Sequence, residues 1–437
     1  QVYKRRWYIL ILFSLVCFTQ GLMWNTFGPI STSSERVFGW GDPTIAWLSA
    51  LGGLSFLITS FPVYWLMQVK GERGVTELKG ALGRIMDLYW EEIAMGVKWR
   101  IVNTCFLINL GQFIAGFATP VSMGACPTLS ATWFPQDERV TATAISASIG
   151  VFGVASAFVL GKVKPCYIRV IYMYFNPPYV SCIIRLMFSL YPLTLECGWA
   201  GLLFLAIVCY FPNTPPCPPS ISAFSERHTF WAGLRSLFRN RDFVIISLTY
   251  GFTAGVFGAW QSVLTVNLKP AGISQDEAGW LGFYSVVSGC LASVLVGRFA
   301  DRFLRHMKLF ILVMYTLATA CFIVFSLELF GPMLPHSEGL LYASVICGGT
   351  LLLGATPLMF ELGCEIGYPA SESAANGMFA LFNNLTGVTF MIPFAIPHIG
   401  TMWMNWVFVG FCLASLPLVA VVRSSFNRLN LDEEVRQ

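Results

Sequence analysis

Along most of this chain apolar residues run almost unbroken for about twenty positions at a time, and short polar stretches holding most of the charge separate the runs. A helix of that length spans bilayer hydrocarbon at about 1.5 Å per residue and satisfies its backbone hydrogen bonds internally, as hydrocarbon requires. The pattern predicts membrane-spanning helices at 7–30, 45–67, 101–127, 141–161 and 195–211, then at 243–267, 278–300, 308–330, 339–361, 373–397 and 402–422. Between the two series lies Pro212-Asn-Thr-Pro-Pro-Cys-Pro-Pro219, followed by Arg227, Arg235, Arg239 and Arg241, a stretch too polar to cross a membrane. The chain thus divides into four regions: an N-terminal helical bundle over 1–211, a cytoplasmic linker over 212–242, a C-terminal bundle over 243–422 and a cytoplasmic tail over 423–437.

Positive charge orients the chain. One set of alternating loops carries Lys4-Arg5-Arg6, Lys70 and Arg73, Arg139, the central linker, Arg298 to Lys308, and Arg423 with Arg428. The opposite set balances Arg36 with Glu35 and Asp42, and Lys269 with Asp276 and Glu277. Lys and Arg concentrate on the cytoplasmic side, so both termini are expected inside, which requires an even number of spans. The eleven runs leave one missing. It belongs between Gly71 and Arg100, but that stretch holds Glu72, Arg73, Glu77, Lys79, Glu91 and Glu92, each costing about 2.5–3.5 kcal/mol at a bilayer centre. Either the chain lacks this helix or 72–100 is translated intervening sequence. The stretch from Lys162 to Tyr191, broken at Asn176-Pro-Pro178, poses the same choice, or forms a re-entrant loop.

Composition closes several functional classes. Hydrophobic residues make up 56% of the chain and charged residues 11%, with a mean hydropathy of +0.65, too little charge for a water-facing surface. A net charge of +4, clustered at membrane edges, does not point to nucleic acid. The thirteen cysteines include no C-x-x-C pair and lie mostly in apolar runs, so neither a metal site nor a disulfide framework is expected. The four histidines are scattered through loops, and H-E-x-x-H, G-x-S-x-G and Gly-rich phosphate loops are absent, so the chain does not read as an enzyme and implies no cofactor. The chain opens on Gln1 rather than Met, which leaves open a preceding segment with a sorting signal.

Polar residues inside the spans are where a solute would be recognised, because an unpaired polar group in hydrocarbon is costly. Gln20 and Trp24 lie four apart on one helical face, with Asn25 beside them; Gln112 sits in a span rich in Gly, Ala and Ser; Trp260 and Gln261 are mid-span, as are Asn383 and Asn384. Each alone suits an interhelical hydrogen bond. Together they suggest a pocket in which Trp24 and Trp260 offer flat faces and the amides offer donors and acceptors without fixed charge. At a cytoplasmic helix end, Gly297-Arg-Phe-Ala-Asp-Arg302 combines a small residue that permits close helix contact with Asp301 and Arg302, a set suited to a conformational latch. The equivalent N-terminal segment, Leu66 to Gly71, has Gln68 in place of the Asp. Glu361 ends its predicted span and Glu365 lies one turn beyond, so both are expected at the cytoplasmic mouth. There they and Glu372 serve as gate or ion-pair residues, or as the carboxylates that couple protons.

Three segments carry a family resemblance. Tyr3-Lys-Arg-Arg-Trp7 leading into Gly21-Leu-Met-Trp-Asn-Thr-Phe-Gly-Pro-Ile30 resembles the first helix of solute carrier family 49, a family of the major facilitator superfamily. Thr132-Trp-Phe-Pro-Gln-Asp-Glu-Arg-Val-Thr-Ala-Thr-Ala-Ile145 is similar to that family's loop between its fourth and fifth helices. Phe360-Glu-Leu-Gly-Cys-Glu-Ile-Gly-Tyr-Pro-Ala-Ser-Glu372 with Gly377 matches F-E-x-x-x-E-x-x-Y-P-x-x-E-x-x-x-x-G. The resemblance covers the chain except 72–100 and 162–194. It implies an all-α major facilitator fold of two six-helix bundles. It also implies a lysosomal membrane location, with the plasma membrane as alternative, and proton-driven symport of pyridoxine. Other members carry choline or ethanolamine and have been linked to haem. Trp24 matches the choline carriers' site tryptophan, but their two site glutamines fall here at Ser148 and Asn384, which favours a neutral ring solute. For haem the sequence offers only Cys126-Pro127 and Cys217-Pro218, and a non-transporting scaffold or receptor stays open.

Overall fold

The computed structural model describes residues 3–25, 42–69, 136–160, 230–300, 306–330, 337–396 and 400–423, with isolated positions between 109 and 134 and residues 202, 203 and 206. Among them no strand occurs, and nine helices are long and apolar enough to cross a membrane. The candidate third span at 72–100 and the stretch at 162–194 lie outside the described residues, as does most of 195–211.

The N-terminal half is built on α1 (Arg5–Trp24), α2 (Asp42–Val69) and α3 (Gln136–Leu160). α1 and α3 pack closely because glycines bring their backbones together. A Cβ at Gly21 would run into the Gly150 carbonyl, and one at Gly153 into the Phe18 carbonyl. Asn25 ends α1 and donates from Nδ2 to the Val154 carbonyl (3.4 Å), tying the helix end to α3.

The C-terminal half begins with α4 (Phe230–Arg239), a short helix inside the expected linker, and α5 (Arg241–Tyr250). Asn240 separates them, its side chain capping α5 by accepting from the Asp242 and Phe243 amides while its Nδ2 donates to the Ile366 carbonyl (3.0 Å). The α5 path continues through a π-helical turn, Gly251–Gly255, into α6 (Val256–Ser262) and α7 (Leu264–Leu268). Then come α8 (Gln275–Ala300), α9 (Met307–Phe330), α10 (Glu338–Gly354), α11 (Thr356–Gly367), α12 (Glu372–Met391) and α13 (Met402–Val421). The span expected at 339–361 runs on to Gly367: α10 yields to α11 at Ala355, and Pro357 in the first turn of α11 needs no intrahelical partner there. Glu361 and Glu365 therefore sit inside a membrane-length helical path rather than past its end.

Large apolar side chains such as Leu291, Leu295, Leu309, Val313, Leu317 and Leu413 are exposed, the distribution expected where the outer solvent is lipid. Inside the C-terminal bundle Trp260, Phe257, Phe322, Phe325 and Phe408 form an aromatic core. The two halves meet along two seams, α2 against α12 and α3 against α8. Glycine permits both contacts: Gly53 faces Val388, Gly377 lies under the Tyr64 ring, and Gly282 lies under Phe158.

Candidate functional site

A cavity of about 60 Å³ lies between the halves, lined from the N-terminal side by Trp24, Ala50 and Gly53. From the C-terminal side it is lined by Gly255, Gly258, Ala259, Ser262, Asn383, Asn384, Gly387, Val388 and Met391. Helices α1, α2, α6 and α12 thus each supply a wall. The volume suits a few water molecules, so a ring-sized solute requires the walls to move apart.

The local sequence explains the shape. In the π-helical turn and just after it, glycines at 251, 255 and 258 leave little side-chain bulk, and Gly251 and Gly255 lie against the α12 backbone at Phe382 and Asn383. Thr386 crosses this contact and donates to the Gly251 carbonyl (2.7 Å). A Cβ at Gly258 would meet nothing within 4 Å, since it would project into open space. Across the cavity the Trp24 ring rests on Gly52, where an added Cβ would lie 3.0 Å from ring carbon Cζ3.

The polar groups at the cavity are neutral. Asn384 is buried and donates from Nδ2 to the Ala380 carbonyl (2.9 Å), which leaves Oδ1 on the side of Gly53. The Asn383 side chain makes no hydrogen bond to the described residues and is half-buried in the lining. Ser262 donates to the Ala259 carbonyl (2.8 Å), keeping acceptor capacity on its oxygen. Among the described lining residues none is ionisable.

The other expected site residues are placed differently. Trp260 is fully buried in the C-terminal aromatic core: Phe408 and Phe257 stack with it at 5.6 and 6.2 Å, and Nε1 donates to Asn405 Oδ1 (2.7 Å). The expectation that it offers a flat face to a solute is corrected, because its neighbours already occupy it. Gln261, next in sequence, is buried with Nε2 lacking a partner among the described residues, and it is not in the cavity lining. Gln20 is half-buried and donates from Nε2 to Thr119 Oγ1 (2.8 Å), and Asn25 is the helix end already described. Gln112 lies outside the described residues.

Of the gating candidates, Gly297 is buried and faces Pro357 of α11, Glu361 is half-buried and Glu365 is buried. Asp301 and Arg302 lie outside the described residues, as does the side chain of Glu372. Cys126, half of a Cys-Pro pair considered for haem, is buried with its sulfur 4.0 Å from that of Cys17; Cys217 lies outside the described residues. Among the described residues no group of three or more His, Cys, Asp or Glu is placed to hold a metal ion.

Sequence reasoning missed Gly258, Ser262 and Gly387. Gly251 and Gly255, four apart in one span, carry the small-residue signal of tight helix contact, but Gly258 faces open space and that signal does not mark it. Ser262 and Gly387 carry no comparable signal.

Comparison with known proteins places this geometry in context. Residues 12–391 match the Major Facilitator Superfamily profile. The chain is 35% identical to a Xenopus tropicalis protein named solute carrier family 49 member 4 homolog, over 99% of this chain and 94% of that one. It is 26% identical to the zebrafish choline/ethanolamine transporter flvcr2b, over 98% of this chain and 86% of the relative. Among solved structures, the major facilitator transporter FucP in its outward conformation superposes with a TM-score of 0.64 at 15% identity, covering 95% of this chain and 99% of FucP.

Proposed function

From the premise that the chain belongs to the major facilitator superfamily and, within it, to solute carrier family 49, we propose that it is a proton-coupled carrier of a small neutral ring solute, with pyridoxine the candidate. That it is a transporter of this family follows from the matches themselves. The observation that supports the finer reading is the cavity between the halves: one tryptophan, two asparagines and a serine, with no ionisable group among its described lining residues. An uncharged hydroxylated pyridine can stack on Trp24 and bond to Asn383, Asn384 and Ser262 without bringing an uncompensated charge into the membrane. A fixed cation such as choline gains most from several aromatic faces, and the described lining has one. Choline or ethanolamine remains the second reading, supported by Trp24 and by the names of the 26% identical relatives.

Gln20, Asn25, Gln112 and Gln261 are proposed to reach the solute only in a state where the walls have moved. Trp260 is not proposed as a contact. Gly297, Asp301 and Arg302 are proposed to govern exchange between states at the cytoplasmic end, together with Glu361, Glu365 and Glu372. Glu365 is the candidate for proton coupling, since it is a buried carboxylate on the helical path that ends at Gly367. Coupling to protons lets a carrier accumulate a neutral solute, which membrane potential alone cannot do. The proposed location is the lysosomal membrane, with the plasma membrane as alternative.

The test is uptake of labelled pyridoxine and labelled choline by cells expressing the chain routed to the surface, at about pH 5 and about pH 7.5, which bracket the range where an imidazole, or a carboxylate of raised affinity for protons, titrates. The expected result is pyridoxine uptake above that of untransfected cells and several-fold faster at the acidic pH. Pyridoxine uptake at background at both values, beside clear choline uptake, would overturn the assignment in favour of the second reading.

A further inference from the structure

The short helix α4, between the two bundles, has three distinct sides. Phe230, Gly233, Leu234 and Leu237 are buried. They hold the helix against α2 of the N-terminal half and against α5 and α12 of the C-terminal half, with Leu237 packed at Gly367 where α11 stops. Trp231 and Phe238 point elsewhere: they are 58% and 48% exposed, large values for side chains of this size. Seven residues apart, they fall within about 20° of one another around the helix. Arg235 lies four residues after Trp231 and Arg239 four after Arg235, so the cationic stripe adjoins the aromatic one.

Both arginines are exposed, as is Arg241 at the start of α5, and none of the three pairs with a carboxylate among the described residues. The nearest acid in sequence, Asp242, accepts from the Arg423 backbone amide (3.2 Å). The helix lies on the side of the membrane to which the basic loops assign the linker, at the ends of α5 and α11, which is headgroup depth. Exposed Trp and Phe at that depth are disfavoured in water and favoured at the boundary between acyl chains and headgroups. Guanidinium groups beside them match phosphodiester oxygens in charge and in fork geometry.

We infer that the Trp231/Phe238 and Arg235/Arg239 faces of α4 form a binding surface for anionic phospholipid headgroups of the cytoplasmic leaflet. Two basic side chains near an anionic surface favour such a lipid over a neutral one by at least about tenfold. Because α4 touches α2 of the N-terminal half and α5 and α12 of the C-terminal half, the headgroup is held at the cytoplasmic junction of the two bundles.

The experiment uses the purified full chain in a neutral detergent, offered phosphatidylserine or phosphatidylcholine, with bound lipid counted by native mass spectrometry and melting followed in parallel. Expected is about tenfold preferential retention of phosphatidylserine by the wild type. Retention should drop to the phosphatidylcholine level in the double variant Arg235→Gln/Arg239→Gln and persist in Arg235→Lys/Arg239→Lys. Lys269→Gln, on the opposite side of the membrane, should change nothing. Equal retention of the two lipids by the wild type overturns the inference whether or not any variant folds. So does undiminished selectivity in a folded Gln double variant, or displacement of the lipid by millimolar inorganic phosphate, which would mark a free-anion site.

Discussion

Trp24 and Trp260 stand equally far from the arginines that open the first membrane-length helical path of each half, Arg5 and Arg241, yet they meet opposite surroundings. Trp24 is half-buried, rests on Gly52 and lines the cavity between the halves. Trp260 is wholly enclosed, stacked against two phenylalanines and hydrogen-bonded through its indole nitrogen. Between Arg241 and Trp260 lies the π-helical turn, and each π-helical turn holds about one residue more than an α-helical one, rotating the helix beyond it by about 100°. In the C-terminal half that rotation accompanies an aromatic turned into its own bundle, with Gly258 and Ser262 presented to the cavity. Equivalent positions thus became a wall and a keystone.

The largest expected effect separates the two directly. Trp260→Ala removes the centre of the aromatic core and should cost about 3–5 kcal/mol of stability, seen as lost folded protein and a lower melting temperature. Trp24→Ala should instead leave melting within a few degrees of the wild type and reduce uptake by about tenfold or more, the worth of an aromatic contact of about 1.5 kcal/mol. Equal loss of melting temperature in both variants would break the comparison and make Trp24 a packing residue.

A smaller effect comes from the amides. Asn405 Oδ1 accepts from both Trp260 Nε1 and Asn267 Nδ2, each at 2.7 Å. Asn405→Ala strands two buried donors and should cost about 1–2 kcal/mol, read by thermal unfolding of the purified protein. Asn383→Ala, whose side chain has no such duty among the described residues, should lower uptake without moving the melting curve. Asn383→Ala melting as early as Asn405→Ala would count against a solute role for that amide.

The smallest change sharpens the comparison most. Gly258→Ala adds a methyl group where nothing lies within 4 Å, so the fold should tolerate it. A methyl group there should raise the apparent KM for the solute by about fivefold, about 1 kcal/mol of lost fit, at an unchanged melting temperature. An unchanged KM would place the solute elsewhere.

Nine apolar helices among the described residues were legible in the sequence, their starts to within about three positions and their ends less closely, because burying a backbone in lipid imposes a length and an apolar content that a one-dimensional pattern records. The same logic picked out Trp24, Asn383 and Asn384, since polar and amphipathic groups in hydrocarbon stand out against it. The pattern could not show that Trp260 turns inward while Trp24 does not. Nor could it show that Glu361 and Glu365 lie within a helix running to Gly367, or that Gly258 and Ser262 complete the cavity.

Hydropathy sums a transfer energy residue by residue, and that sum picks out which segments are apolar enough to enter the membrane. Which face of a helix meets which neighbour depends on rotational register, on how closely glycines let backbones approach, and on contacts between residues far apart in sequence, as between α2 and α12. Those pair energies do not exist until the helices are side by side, so the cavity was decided only by tertiary structure.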